Sequence, residues 1–239
     1  MKTAVIQYIR KVRRFLLKKR LHPIRVFLFH QVSETFDEST MIRCDWTNLH
    51  QMQAYILALK KQYQFIPLDQ AYSHISRDIF RRKNYAVLTS DDGWASLKNI
   101  LPWLHQQKIP ITLFLNPTYM DGQHFRERNT ERYLKTEELP QLIQRYPSIS
   151  VAMHGLEHIS IKDMSEEQLR KYIEASITQT SSFSNYIPFW AYTWGKRSEF
   201  SDKVLHEYGI IPVYIDAERN INDASRIHRE LLDGGEFLQ

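Results

Sequence analysis

Residues 85–93 read Tyr85-Ala86-Val87-Leu88-Thr89-Ser90-Asp91-Asp92-Gly93, an apolar run that breaks into two adjacent carboxylates and a glycine. Short apolar runs of this kind, buried on both faces, are what parallel strands look like. Others recur at 24–30, 111–116, 148–153, 188–193 and 211–215. The stretches between them have helical spacing and recognisable ends. Asp45 is placed to cap a helix that carries Leu49, Met52, Ile56 and Leu59 on one face. Ser165 and Gln168 form a capping box ahead of Leu169, Ile173 and Ile177, and Gly209 can stop the helix containing Val204 and Leu205. Repeated β–α units predict an α/β domain, either a barrel or an open sheet. Residues 117–134 are polar and aperiodic, and are expected to form a loop over one end of the sheet.

Composition narrows the class. The chain has 239 residues, 43% hydrophobic and 13% aromatic, with 7 glycines, which argues against disorder. No apolar run approaches the roughly 18–20 residues of a membrane span. Cys44 is the only cysteine, so neither an intrachain disulfide nor a cysteine-rich metal site is available. The net charge of +5 is unevenly placed. Residues 1–25 hold nine Lys/Arg and no acid, which leaves 23 basic against 27 acidic residues, about −4, for the rest. With its cations outside the body of the domain, the chain does not read as a nucleic-acid binder.

The segment 1–20 is expected to be a basic amphipathic helix. Val5, Tyr8, Ile9, Val12, Phe15 and Leu16 form an apolar stripe, and Arg10, Arg13, Arg14 and Lys18 fill the opposite arc. Such a helix either lies on an anionic membrane surface or docks on the domain with its basic face solvated. Charges interrupt its apolar stretch and no small-residue cleavage site follows, so the expected location is the cytoplasm or the inner membrane surface. Residues 21–239 are expected to form one domain.

Two motifs carry chemistry. Asp91 and Asp92 follow a strand, where functional residues of α/β folds collect, although Asp-Asp-Gly is also a common turn. His154-Gly155-Leu156-Glu157-His158 follows another strand. Two histidines four apart can share a metal, but the order is not the H-E-x-x-H of a zincin. Together an aspartate and two histidines make a three-ligand site with room for water and substrate, and the second aspartate is left as a base.

These motifs resemble those of the polysaccharide deacetylases of the NodB-homology type, carbohydrate esterase family 4. That family's T-F-D-D-G, H-[ST]-x-x-H and F-A-Y-P-Y-G motifs correspond here to 89–93, 154–158 and 189–195, and Phe29-His30-Gln31-Val32 is similar to its Y-H-x-V segment. The resemblance implies a distorted (β/α)7 barrel that removes N- or O-acetyl groups from carbohydrate with a divalent metal, most often Zn2+, with Co2+, Ni2+ or Mn2+ as alternatives. It implies Asp91 as base, Asp92, His154 and His158 as metal ligands, and the backbone N–H of Trp194 as an oxyanion donor. His228 is its candidate general acid, against a surface histidine in a basic turn, and Arg226 or Arg229 could orient Asp91. Trp190 and Tyr192 are candidate sugar-stacking residues or core, and His30 a candidate substrate contact or a structural residue.

Four departures stand out: Ser90 for an aromatic, Gly155 for Ser or Thr, Ala191 in the arginine position of the R-x-P-Y-G form, and Thr193 for proline. The substrate expected is an acetylated sugar or a lipid-linked or nascent glycan. A binding-only relative that has lost catalysis and a deformylase of a lipid-linked amino sugar are the alternatives.

Overall fold

The computed structural model describes residues 24–34, 46–77, 83–121, 132–215 and 225–232. The expected helix over 1–20, the Asp45 cap and the middle of the 117–134 loop fall outside these residues. No described helix is long and apolar enough to cross a membrane.

Seven parallel strands close into a barrel: β1 (Ile24–Phe29), β5 (Tyr85–Ser90), β6 (Ile111–Leu115), β7 (Ile149–Met153), β8 (Tyr186–Ala191), β9 (Ile211–Ile215) and β10 (Ile227–Leu231). The order runs β1-β10-β9-β8-β7-β6-β5, and β1 pairs β5 along its whole length, Ile24 opposite Tyr85 through Phe29 opposite Ser90. Three short strands lie outside the ring. β2 (Gln31–Ser33) pairs β3 (Trp46–Asn48), and β4 (Gln64–Phe65) sits beside the first two residues of β5, below the point where β6 begins to pair.

Among the described residues six helices surround the ring: α1 (Leu49–Lys60), α2 (Leu68–Ser76), α3 (Leu97–Gln106), α4 (Glu138–Arg145), α5 (Glu166–Thr180) and α6 (Glu199–Glu207). The expected stripe of α1 is buried, but its cap is Asn48, whose side chain accepts from the backbone N–H groups of His50 and Gln51. The Ser165–Gln168 capping box opens α5 as expected, and Gly209, at φ +71°, follows the end of α6.

Strand alternation divides the apolar residues into three sets. Val26, Val87, Phe114, Phe189, Val213 and Ile227 fill the barrel interior. Leu88, Leu113 and Val151 face α1, α3 and α4, and Trp190 and Tyr214 face α5 and α6.

β10 is the strand that sequence patterning missed. Ile227-His228-Arg229-Glu230-Leu231 reads as a basic turn, yet it lies between β1 and β9 with His228 and Arg229 buried. Its charges are tolerated because each has a partner: Glu230 pairs with Arg25 of β1, and Arg229 pairs with an aspartate described below. β8 also begins earlier than expected, and Thr193 belongs to the short turn beyond it.

Leu88 is fully buried between β5 and the helices. Leu88→Ala is expected to cost about 2–5 kcal/mol, read as a lower urea midpoint at unchanged m-value.

Candidate active site

Asp91 and Asp92 leave the C-terminal end of β5, His154 and His158 that of β7, and Trp194 that of β8, so all reach one mouth of the barrel. Asp91 and Asp92 are 1% and 2% exposed. Two adjacent carboxylates at that depth require separate compensation, and each has its own.

Asp91 is gripped from inside the barrel. Arg229 donates Nη1 to Oδ1 at 2.6 Å and Nη2 to Oδ2 at 2.8 Å, a two-point fork, and its guanidinium lies over the Phe114 ring at 5.0 Å. Burial alone would push the Asp91 carboxyl up. The charge of Arg229, with that of His154, outweighs it and holds Asp91 below the usual carboxylate range. The arginine that Ala191 leaves out of the third motif is therefore supplied by β10.

Asp92 faces the histidines. Its backbone is in the left-handed region at φ +71°, followed by Gly93 at φ +78°, and this turns its carboxylate away from that of Asp91. Trp94 donates its indole N–H to Oδ2 at 3.0 Å, leaving Oδ1 directed at the imidazoles. Nε2 of His154 and Nε2 of His158 each lie 3.3 Å from that oxygen. Asp92 Oδ1 and His154 Nε2 are nonetheless buried without a geometrically sound hydrogen bond. Burial opposes ionisation of Asp92, and the two imidazoles overcome it, so its carboxyl sits far below its ordinary value.

The three ligand atoms lie within 4.8 Å of one another. Ligands about 2.0–2.1 Å from a tetrahedral ion stand roughly 3.3–3.4 Å apart, the separation found here on two edges. The tautomer of His154 also suits an ion. Its Nδ1 is 2.8 Å from the carbonyl oxygen of Ala191, which can only accept, so the proton is on Nδ1 and the Nε2 lone pair is free. Asp92, His154 and His158 thus form a cluster fit to hold a divalent cation.

Loop chemistry explains two departures from the family motifs. A Cβ on Gly155, at φ +90°, would stand 2.7 Å from the hydroxyl of Tyr172. That hydroxyl, from α5, donates to the carbonyl of Glu157 and accepts from the backbone N–H groups of Leu156 and Glu157. The missing Ser or Thr is replaced by a tyrosine from a neighbouring helix, a substitution that spacing within the motif cannot reveal. Thr193, in the proline position, donates its hydroxyl to the carbonyl of His154 at 3.3 Å, tying the third motif to the second.

Trp194 is a non-glycine residue at φ +59°, with its ring 59% exposed and edge-on to His158 at 4.7 Å. Its loop is clamped at both ends by Asp202 of α6. Tyr192, before the loop, donates to Oδ1 at 2.7 Å, and Arg197, after it, to Oδ2 at 2.9 Å. Strained backbone of this kind persists where its surroundings over-determine it.

Three sequence expectations need correction. Trp190 and Tyr192 are 1% exposed and face the helices, so they offer no surface to a sugar. His228 lies on the opposite face of β10 from Arg229, against the ring of Tyr214 at 5.4 Å, and does not join the carboxylates. His30 is the histidine near them: its charge favours the ionised form of both Asp91 and Asp92. The sequence signal was its position at the end of β1, the strand paired with β5.

A family model described as polysaccharide deacetylase matches residues 80–213. The chain belongs to that family. Membership places it among the deacetylase hydrolases, which cleave amide bonds. No curated protein sequence matches the chain. Among solved structures, the chain is similar to deacetylase PplD from Streptococcus pyogenes in complex with acetate, at 16% identity and TM-score 0.71, covering 89% of this chain and 93% of that one. It is similar to IcaB from Ammonifex degensii at 16% identity and TM-score 0.69, covering 90% and 94%. A polysaccharide deacetylase from Bacillus cereus matches at 13% identity and TM-score 0.70 over 88% of this chain, which spans 65% of that one. At these identities the likeness establishes the fold, the distorted (β/α)7 barrel.

Metal binding should follow the ligands and the proton. His158→Ala is expected to abolish stoichiometric Zn2+ binding by elemental analysis, with the fold retained by circular dichroism. Burial lowers the affinity of His154 for a proton, but the charge of Asp91 and the contact with Asp92 outweigh it and raise its pKa. Zn2+ affinity measured by titration calorimetry should therefore begin to fall, as pH drops, above the pH of about 6.5 at which a free imidazole titrates.

Proposed function

We propose that this polysaccharide deacetylase relative is a metal-dependent carbohydrate deacetylase that hydrolyses an acetyl group, most directly an N-acetyl, on a sugar or a lipid-linked or nascent glycan. The observation that carries the reading is the pair of buried carboxylates with divided tasks. Asp92 closes a three-ligand cluster with His154 and His158, while Asp91 is held ionised beside it by Arg229 and reaches none of the ligand atoms at bonding distance. Its Oδ2 lies 4.0 Å from Nε2 of His154.

A divalent ion, Zn2+ by the two-nitrogen, one-oxygen donor set, would be held by Asp92, His154 and His158, and when bound polarises the acyl carbonyl and lowers the pKa of water. Co2+, Ni2+ and Mn2+ are the other ions this donor set accepts. Asp91 takes the proton of the attacking water. Arg229, forking both of its oxygens from the barrel side, holds it in place and ionised at neutral pH. The backbone N–H of Trp194 is presented from a loop fixed at both ends, in the role of a donor to the developing oxyanion. Its exposed ring beside His158 is the stacking surface for the sugar, in place of the buried Trp190 and Tyr192. His30, facing both aspartates, takes the role of proton donor to the leaving group that sequence reasoning gave to His228. The presence of base and ligands together argues against a binding-only relative.

Asp91→Asn preserves the shape and removes the base. Acetate release from an N-acetylated oligosaccharide should fall roughly 10²–10⁴-fold while Zn2+ stoichiometry is unchanged. Turnover equal to that of the parent would remove Asp91 from the mechanism. Chelation should abolish the parent's activity, and added Zn2+ should restore it.

A further inference from the structure

The end of the barrel opposite the mouth has a chemistry of its own. In a parallel β/α barrel, the helix C-termini and the connections that lead back into each strand gather at the strands' N-terminal ends. Here those connections are cationic over one continuous sector. Lys60 and Lys61 end α1, Arg77 ends α2, Lys83 precedes β5, Lys108 precedes β6 and Arg145 ends α4, and all six are exposed. Among the described residues of connections 60–64, 83–84, 106–110, 144–148 and 181–185 there is no Asp or Glu. The sequence between α2 and β5 adds Arg81 and Arg82 against the single Asp78. Helix dipoles account for one cation at a helix end. They do not account for Lys83 and Lys108, which stand outside the helices.

The lysines also converge. Lys60, Lys61 and Lys83, from two separate connections, line one cavity of about 400 Å³ with Tyr63, Gln64 and Asn84. Lys60 spans to the next connection, donating to the carbonyl and side-chain oxygens of Gln107 at 3.0 Å. The chain enters the barrel at this same end: Ile24, the first residue of β1, is in register with Tyr85, the first of β5, and the sequence before it, residues 1–23, holds eight Lys/Arg and no acid.

We propose that this basal face, centred on Lys60, Lys61 and Lys83, is a docking surface for an anionic lipid bilayer. Charge alone would suit any polyanion. The bilayer is favoured by the sequence that precedes β1: residues 1–20 interleave basic residues with apolar ones at helical spacing, a pattern that fits a headgroup–acyl boundary and has no use on nucleic acid. Docked this way, the barrel stands on its base with the mouth turned outward. Strands of five or six residues set the mouth about 20 Å above the lipid. The acetylated sugar is then one carried on a glycan long enough to rise from the bilayer, rather than a sugar at the headgroup.

The test uses the full chain and its Lys60→Gln/Lys61→Gln/Lys83→Gln variant with phosphatidylcholine vesicles containing or lacking phosphatidylglycerol. Each lysine near an anionic surface contributes about 1 kcal/mol, so the triple variant should bind anionic vesicles roughly 10–100-fold more weakly and with a shallower salt dependence. Neither form should bind neutral vesicles. Acetate release from a soluble acetylated oligosaccharide should be the same in both, since none of the three lysines is near the mouth. Equal vesicle binding by parent and variant would overturn the proposal, as would binding of the parent to double-stranded DNA as tight as to vesicles at the same salt. Absence of acetate release by the parent would instead count against the deacetylase reading and leave the vesicle result standing.

Discussion

The site depends on keeping two neighbouring carboxylates ionised inside a protein. Adjacent buried anions repel, and each loses its water, so the arrangement holds only if each finds a separate cation or strong donor. The backbone solves the problem geometrically. Asp91 continues the inward alternation of β5 and meets Arg229 in the barrel interior, whereas Asp92, thrown into the left-handed region, turns toward the two imidazoles. One peptide unit thus separates the proposed base from a proposed metal ligand. The partners come from strands 138 and about 60 residues away in sequence, so closure of the barrel and assembly of the site are one event.

The loops around the mouth show the same economy. Ala191 receives the Nδ1 proton of His154 on its carbonyl, Thr193 anchors to the carbonyl of the same histidine, and Asn116 donates to that carbonyl at 2.7 Å. The first ligand of the second motif is therefore fixed by β6 and by the third motif together. Trp194 follows directly, strained and held by Asp202 from both flanks. At two of the four departures from the family's motif letters another element occupies the space or supplies the contact: Tyr172 at Gly155 and Arg229 at Ala191.

That is also why legibility in the sequence was uneven. Buried parallel strands announce themselves as apolar runs, and β1, β5, β6, β7 and β9 could be read within a residue or two. The cluster of Asp92, His154 and His158 was legible because both of its motifs follow such strands and emerge at the same end. β10 was not, because a strand that pairs its charges internally has no apolar signature: Arg229 could be named as an orienting partner for Asp91, but nothing in Ile227–Leu231 marked a strand between β1 and β9. The facing of β8 was a similar blind spot. Alternation gives two faces but not which one points into the barrel, so Trp190 and Tyr192 could be read as sugar platforms until Phe189 and Ala191 were found to occupy the interior. His228 fell on the wrong face of its strand for the same reason.

Placing the base's arginine on β10 has a consequence for the whole molecule. In a barrel whose arginine sat on the third-motif loop, that loop could move without opening the sheet. Here the guanidinium that holds Asp91 belongs to the strand that seals β1 to β9, and Thr89 of β5 and Phe114 of β6, across the barrel interior, also contact it. Withdrawing Arg229 would leave a carboxylate buried and unpaired at the seam, a cost of several kcal/mol concentrated where the ring closes. The third-motif loop, relieved of that duty, is restrained instead from α6 through Asp202. Asp91 and the Trp194 loop, the proposed base and oxyanion donor, are thus anchored to different parts of the fold, the first to the sheet and the second to the helical layer.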